Sequence, residues 1–173
     1  SEAAPLSLKE TIALADEKSR RAWEELSLGY PSHSTGSPAL LAEICALYRD
    51  RDITATCCVP GEGILLAMHA LVGSCDHVVA MSPGYASLTE VARAIGCNLS
   101  FWRPRFLNGR FAFDMDALRK LVRPSTKLVI LNVPHNPTGA NLSEADLRDV
   151  CQLVGSIGGR VFCDEMYRGL EHA

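Results

Sequence analysis

The sequence has few of the features that would commit it to a membrane, to nucleic acid or to a disulfide scaffold. No apolar run approaches the roughly 18 residues that cross a bilayer, and no secretory leader pattern opens the chain. Basic residues are scattered rather than clustered: 17 Lys and Arg stand against 20 Asp and Glu, a net charge of -3. That balance argues against a nucleic-acid surface. Seven cysteines, an odd number, argue against a closed disulfide set. Cys45, Cys57, Cys58, Cys75, Cys97, Cys151 and Cys163 form no C-x-x-C pair and no zinc-like spacing with histidine. Most lie in apolar segments, where a free thiol behaves as a small hydrophobe. Reduced thiols imply a cytoplasmic setting. In that setting Asn98-Leu99-Ser100 and Asn141-Leu142-Ser143 are chance glycosylation matches, and proline disqualifies Asn136-Pro137-Thr138. Repeats and low-complexity tracts are also lacking. The chain opens on Ser1 rather than methionine, so its start is expected to be processed, engineered or cut.

What is present suffices for one domain with a core: 173 residues, 47% apolar and 21% charged. Ser7-Leu8-Lys9-Glu10 reads as a capping box that opens a polar helix to about Leu26. Residues 28–38 are loop chemistry. A helix to about Arg51 follows, with Leu40, Leu41, Ile44, Ala46, Leu47 and Tyr48 on its buried side. From there strands and helices alternate. Strands are expected at Ile53–Val59, His77–Met81, Cys97–Trp102, Lys127–Val133 and from Arg160 to Cys163. Helices are expected at Glu62–Val72, Tyr85–Ile95, Asp114–Leu121 and Ser143–Ile157, with a winding segment around Gly109. Short, continuously apolar strands separated by helices predict an α/β fold: a mostly parallel sheet with helices on both faces.

In such sheets ligands bind beyond the carboxyl ends of the strands. The distinctive residues fall there. Pro60-Gly61-Glu62-Gly63 enters a helix whose first free amides suit a phosphate. Pro83-Gly84-Tyr85 puts an aromatic at a strand end. The stretch "NVPHNPTGANLSE", residues 132–144, ends a buried strand in a proline-fixed polar loop carrying Asn136, where a cis peptide is plausible at Pro137. Asp164-Glu165-Met166-Tyr167 places a carboxylate at a strand terminus and a phenol three residues on. Each alone has an ordinary account: a strand–helix turn, a surface tyrosine, a capping aspartate.

Together these segments resemble the fold-type I pyridoxal-phosphate enzymes, specifically the class I/II aminotransferases. The order and approximate spacing match over about residues 29–173. The resemblance implies a cytoplasmic enzyme that exchanges an amino group between an amino acid and a 2-oxo acid. It implies that Asp164 pairs with the pyridine nitrogen of pyridoxal 5'-phosphate. Asn136 and Tyr167 would hydrogen-bond the ring oxygen, Tyr85 would stack on the ring, and the amides of Glu62 and Gly63 would take the phosphate. It further implies a dimer in which Tyr30 reaches the partner subunit's phosphate. Around Tyr30 the match is looser, with a gap one residue longer and Leu41 where arginine is usual.

The resemblance also implies a Schiff-base lysine beyond the Asp164–Tyr167 element. The lysines here are Lys9, Lys18, Lys120 and Lys127, all upstream of it. The chain is therefore expected to be the N-terminal half of such an enzyme, inactive alone. Residues 1–28 would form a helical segment and 29–173 the first, incomplete part of the cofactor-binding large domain. Its partner would be a second copy or the missing C-terminal half. Alternatives are a lyase, decarboxylase, cyclase or oxidase on the same cradle, or a non-catalytic aminotransferase-like domain. A bare dinucleotide-binding domain fits poorly, because Gly61-Glu62-Gly63-Ile64-Leu65-Leu66 lacks the last glycine of G-x-G-x-x-G.

Overall fold

A computed structural model describes residues 5–30, 33–48 and 52–171. The chain packs as two compact units, Ser1–Cys58 and Val59–Ala173.

The first unit holds α1 (Leu8–Leu14), α2 (Glu17–Glu24) and α3 (Pro38–Ala46). The Ser7–Glu10 capping box forms as expected. The single helix expected to reach Leu26 instead breaks in two. Asp16 takes an extended conformation, and its carboxylate accepts the Ser19 N–H at 2.7 Å. A short acidic side chain that captures a nearby backbone donor offers the chain an alternative to continuing the helix. The buried side assigned to α3 is a second correction. Among the described residues of this unit none is buried, and Leu40 and Leu47 are 50% and 65% exposed. The expected helix end at Arg51 lies outside the described residues. Ile53–Val59 is not a strand: among the described residues its backbone hydrogen bonds are Cys57 N–H to the Thr35 carbonyl, 2.7 Å, and Gly63 N–H to the Val59 carbonyl, 2.9 Å, which form no ladder. A strand needs a ladder partner, and apolar composition does not supply one.

The second unit carries the sheet. Its elements are α4 (Pro60–Leu71), β1 (His77–Met81), α5 (Ser87–Ile95), β2 (Asn98–Trp102), β3 (Arg105–Leu107), β4 (Arg110–Ala112), α6 (Met115–Leu121), β5 (Thr126–Asn132), α7 (Glu144–Ser156) and β6 (Arg160–Asp164). Four strands pair in the order β2-β1-β5-β6, all parallel. β3 and β4 form a separate antiparallel hairpin. Its two-residue turn is Asn108-Gly109, both with positive φ, 53° and 79°. Such a turn is the strongest short hairpin signal a sequence carries, and it replaces the winding segment expected there.

β1 and β5 are buried along nearly their whole length, and the period-2 alternation of strand side chains divides the core into two layers. Val78, Ala80, Leu128 and Ile130 meet Ile64 and Met68 of α4 and Leu88 of α5 on one face. Val79, Met81, Val129 and Leu131 meet Leu118 of α6 and Val150 and Val154 of α7 on the other. Helices on both faces of a parallel sheet are thus what these strands require. Beneath the amino ends sits a closed polar chain. Thr126 Oγ1 accepts the Arg123 N–H at 2.8 Å and shares a hydrogen bond with His77 Nδ1 at 2.7 Å, and His77 Nε2 shares one with Ser100 Oγ at 2.9 Å. Burial, and secondarily the Arg123 charge, push the His77 pKa below the ordinary histidine value. Among the described residues no helix is long and apolar enough to cross a membrane.

Candidate functional site

The chain moves outward from β1 to β2, then crosses to the other side of β1 for β5 and continues outward to β6. The direction reverses between β1 and β5. Such a switch point opens a crevice at the carboxyl ends of the two strands, because their following loops part to opposite sides. The loops that flank it are 82–86, after β1, and 133–143, after β5. Cis peptide bonds occur at Ser82-Pro83, Val133-Pro134 and Asn136-Pro137, all in these two loops.

Asn132, the last residue of β5, organises the edge. It is 2% exposed and stands in register with Asp164, the last residue of β6. Its side-chain Nδ2 donates to the Asp164 carbonyl at 3.3 Å, while its Oδ1 accepts the Asn136 N–H at 2.8 Å. Val133 N–H adds a second bond to the Asp164 carbonyl at 3.0 Å. One buried carboxamide thus fixes the backbone of two candidate residues that lie 28 positions apart in sequence (164 less 136).

Asp164 ends β6 half-buried, and its Oδ1 accepts the Met166 N–H at 3.0 Å. It does cap a turn, as its ordinary account anticipated, and its other carboxylate oxygen is not engaged by that cap. Asn136 is half-buried, and its carboxamide has no hydrogen-bond partner among the described residues. Tyr85 and Tyr167 are 49% and 40% exposed, Tyr85 on the loop after β1 and Tyr167 in the turn after β6. A Cβ built on Gly84 would stand 4.0 Å from the Asn136 carbonyl, so the loops carrying Tyr85 and Asn136 abut.

α4 packs on β1 and leads into it, so its first turn lies at the same carboxyl edge. Among the described residues no side chain caps this turn, and Pro60 at its start has no N–H to satisfy. The Gly63 N–H is already committed to the Val59 carbonyl at 2.9 Å, which leaves Gly61 and Glu62 to present free first-turn amides. The Glu62 side chain is exposed. Tyr30 lies in the first unit and is fully exposed. Lys127 sits near the amino end of β5 and Lys120 on α6. Tyr85, Asn136 and Asp164 are therefore brought to one sheet edge with the α4 terminus and Tyr167, and Tyr30 is not part of that unit.

His135 was not among the sequence candidates. It is 2% exposed, its ring edge-on to Phe113 at 4.8 Å, and both of its nitrogens are hydrogen-bonded. A histidine flanked by two prolines in a loop after a buried strand was the available signal. Its inward position depends on Phe113 and Pro83, which are distant in sequence.

The pyridoxal phosphate that the resemblance implies would find a carboxylate oxygen outside the turn cap, at Asp164, for its protonated ring nitrogen, the Asn136 carboxamide and Tyr167 phenol for its ring oxygen, the accessible Tyr85 ring for its aromatic face and the α4 start for its phosphate. The residues fit.

Comparison with known proteins gives the same direction. The sequence profile of the family "Aminotransferase class I and II" matches residues 13–173. The chain is 35% identical over 141 residues to the capreomycidine synthase of Streptomyces vinaceus, covering 80% of this chain and 36% of that protein. It is 37% identical over 115 residues to a probable N-succinyldiaminopimelate aminotransferase of Mycobacterium tuberculosis, covering 65% of this chain and 29% of that protein. A crystal structure of a PLP-dependent aminotransferase from Streptococcus suis superposes with a TM-score of 0.74 at 25% identity, over 92% of this chain and 44% of that one. The chain thus spans about a third of the length of the curated relatives it matches. It belongs to the class I and II aminotransferase family.

Proposed function

We propose that this chain forms the cofactor cradle of a pyridoxal-phosphate-dependent aminotransferase, which exchanges an amino group between an amino acid and a 2-oxo acid. The observation that carries the reading is the convergence on one sheet edge of Asp164, Asn136 with its unpartnered carboxamide, and the Tyr85 loop. They lie at or beside the switch point where an α/β sheet binds ligands. When bound, pyridoxal phosphate supplies an electron sink for bond cleavage at the amino acid's α-carbon.

The protein's part is to bind, orient and polarise. Asp164 would accept a hydrogen bond from the protonated pyridine nitrogen and balance its charge. Asn136 and Tyr167 would donate to the ring oxygen, and Tyr85 would cover one ring face. The free amides of the first α4 turn, at Gly61 and Glu62 beside Gly63, would take the phosphate, aided by the positive end of the helix. The exposed Glu62 carboxylate can turn to solvent, away from that dianion. Tyr30, fully exposed, would reach the phosphate of a partner subunit in a homodimer. In this reading residues 1–28 are a helical lead and 29–173 the first part of the cofactor-binding domain. None of the four lysines serves as the covalent anchor. The seven cysteines, all free, favour a cytoplasmic location.

A second reading keeps the cradle and changes the reaction, as in a lyase, decarboxylase, cyclase or oxidase. It is favoured by the 35% identity to a protein named as a synthase rather than an aminotransferase. Titrating the chain with pyridoxal phosphate and following cofactor absorbance tests the shared part. We expect saturable, non-covalent binding that Asp164→Ala abolishes; equal binding by that variant would overturn the assignment of Asp164.

A further inference from the structure

The His135 side chain crosses the crevice between the loops after β1 and β5. His135 Nε2 lies 2.7 Å from the Pro83 carbonyl, and Nδ1 lies 2.7 Å from Thr138 Oγ1. A carbonyl only accepts, so Nε2 carries the proton and donates it to Pro83. Nδ1 is then an acceptor for the Thr138 hydroxyl. Thr138 Oγ1 in turn accepts the Ala140 N–H at 3.2 Å. Of the two neutral tautomers, only this one satisfies every member of the chain. The main chain reinforces it: His135 N–H donates to the Ala140 carbonyl and Gly139 N–H to the His135 carbonyl, each at 2.8 Å. Phe113 closes the ring in from the side and itself meets Trp102 at 4.9 Å.

Among the described residues, this bond to Pro83 is the hydrogen bond that joins 82–86 to 133–140. Beside it, a Cβ built on Gly84 would stand 4.0 Å from the Asn136 carbonyl. Pro83 is two residues from Tyr85, and His135 is bonded directly to Asn136. We infer that His135 is a positioning residue: its neutral imidazole clamps the loop after β1 to the loop after β5, and so sets the separation of the Tyr85 ring from the Asn136 carboxamide. The meaning of that separation for a ligand rests on the proposed cofactor reading, while the clamp itself does not. Burial also opposes protonation of His135.

The test compares the full chain with His135→Leu, which removes both bonds, and His135→Gln, whose amide can still donate to Pro83. Amide hydrogen exchange is read at Ser82 and Leu88, which flank the first loop, at Asn136 and Ala140 in the second, and at Val79 and Val129 in the strands. His135→Leu should speed exchange about tenfold in both loops and leave the strands unchanged, the effect of losing one buried hydrogen bond. His135→Gln should restore Ser82 and Leu88. Faster exchange confined to Asn136 and Ala140, or spread equally into the strands, would overturn the clamp. Should His135→Leu fail to fold, His135→Asn takes its place, since its shorter amide ends near the Nδ1 position and loses the Pro83 bond. Faster exchange at Ser82 and Leu88 supports the clamp, and silence there refutes it. Pyridoxal phosphate is then titrated into each variant, with weaker binding expected for His135→Leu and recovery for His135→Gln. If the unmodified chain takes no cofactor while the exchange pattern holds, the cofactor reading fails and the clamp stands.

Discussion

The Oδ1 of Asn132 accepts the backbone N–H of Asn136 at 2.8 Å, and this bond fixes the loop after β5 to the strand it leaves. The two asparagines have opposite roles: Asn132 is buried and doubly bonded, whereas the Asn136 carboxamide is unpartnered among the described residues. Asn132→Ala should lower unfolding stability by about 1–3 kcal/mol, because it strands buried polar partners. Asn136→Ala should stay within about 0.5 kcal/mol of the parent. Denaturant unfolding checks both. Equal losses would mean that the Asn136 side chain has a structural role after all.

Acid should destabilise the second unit beginning near neutrality. His77 and His135 both have folded-state pKa values below the ordinary 6.5, in each case chiefly through burial. The unfolded chain therefore binds protons first as pH falls. Stability from these groups is complete above about pH 6.5 and is lost progressively below it, until the folded-state values are passed. The limiting slope is about 1.4 kcal/mol per pH unit for each histidine. Melting temperatures between pH 8 and pH 5 measure it, and replacing both histidines by glutamine should flatten the curve.

Cysteine reactivity should divide by environment. The Cys163 thiol is pushed up to about 12, first by burial and then by the Glu165 and Asp164 carboxylates, so its reactive thiolate is negligible at pH 7.5. Cys58, Cys75 and Cys151 are exposed. Brief alkylation of the native chain, mapped by peptide mass spectrometry, should modify these three and spare Cys163. Modification of Cys163 at a comparable rate would contradict the packing of β6 against β5.

Removing the turn glycine at Gly109 should act locally. Its φ of +79° lies in the left-handed region, so Gly109→Val should cost about 1–2 kcal/mol in the β3–β4 hairpin. Exchange protection of Leu107 and Arg110 would fall, while that of β1 and β5 would not.

Particular residues show what the sequence alone carried. Val78, Val79, Leu128, Val129 and Ile130 announced buried parallel strands because both faces of those strands are covered, so no polar alternation interrupts them. The same logic misled at Ile53–Val59, where apolar composition was present and a pairing partner was not. Asp16 and the Asn108-Gly109 pair were legible local signals, a cap and a hairpin turn, that longer-range patterns obscured. At the site, Asp164, Asn136 and Tyr85 could be nominated from their positions after strands. Asn132 and His135 could not, because each works through partners 32 and 52 residues away.

The most direct test of the cradle is an amide NMR titration of the chain with pyridoxal phosphate, with inorganic phosphate as the control. The account predicts that the Asn136 side-chain amide and the backbone signals of Tyr85, Asp164 and Glu62 shift together and saturate with pyridoxal phosphate. Of these four signals, inorganic phosphate should move only Glu62. Shifts at Glu62 with both ligands and none at Asn136 or Asp164 would contradict it, reducing the site to a helix end that attracts anions.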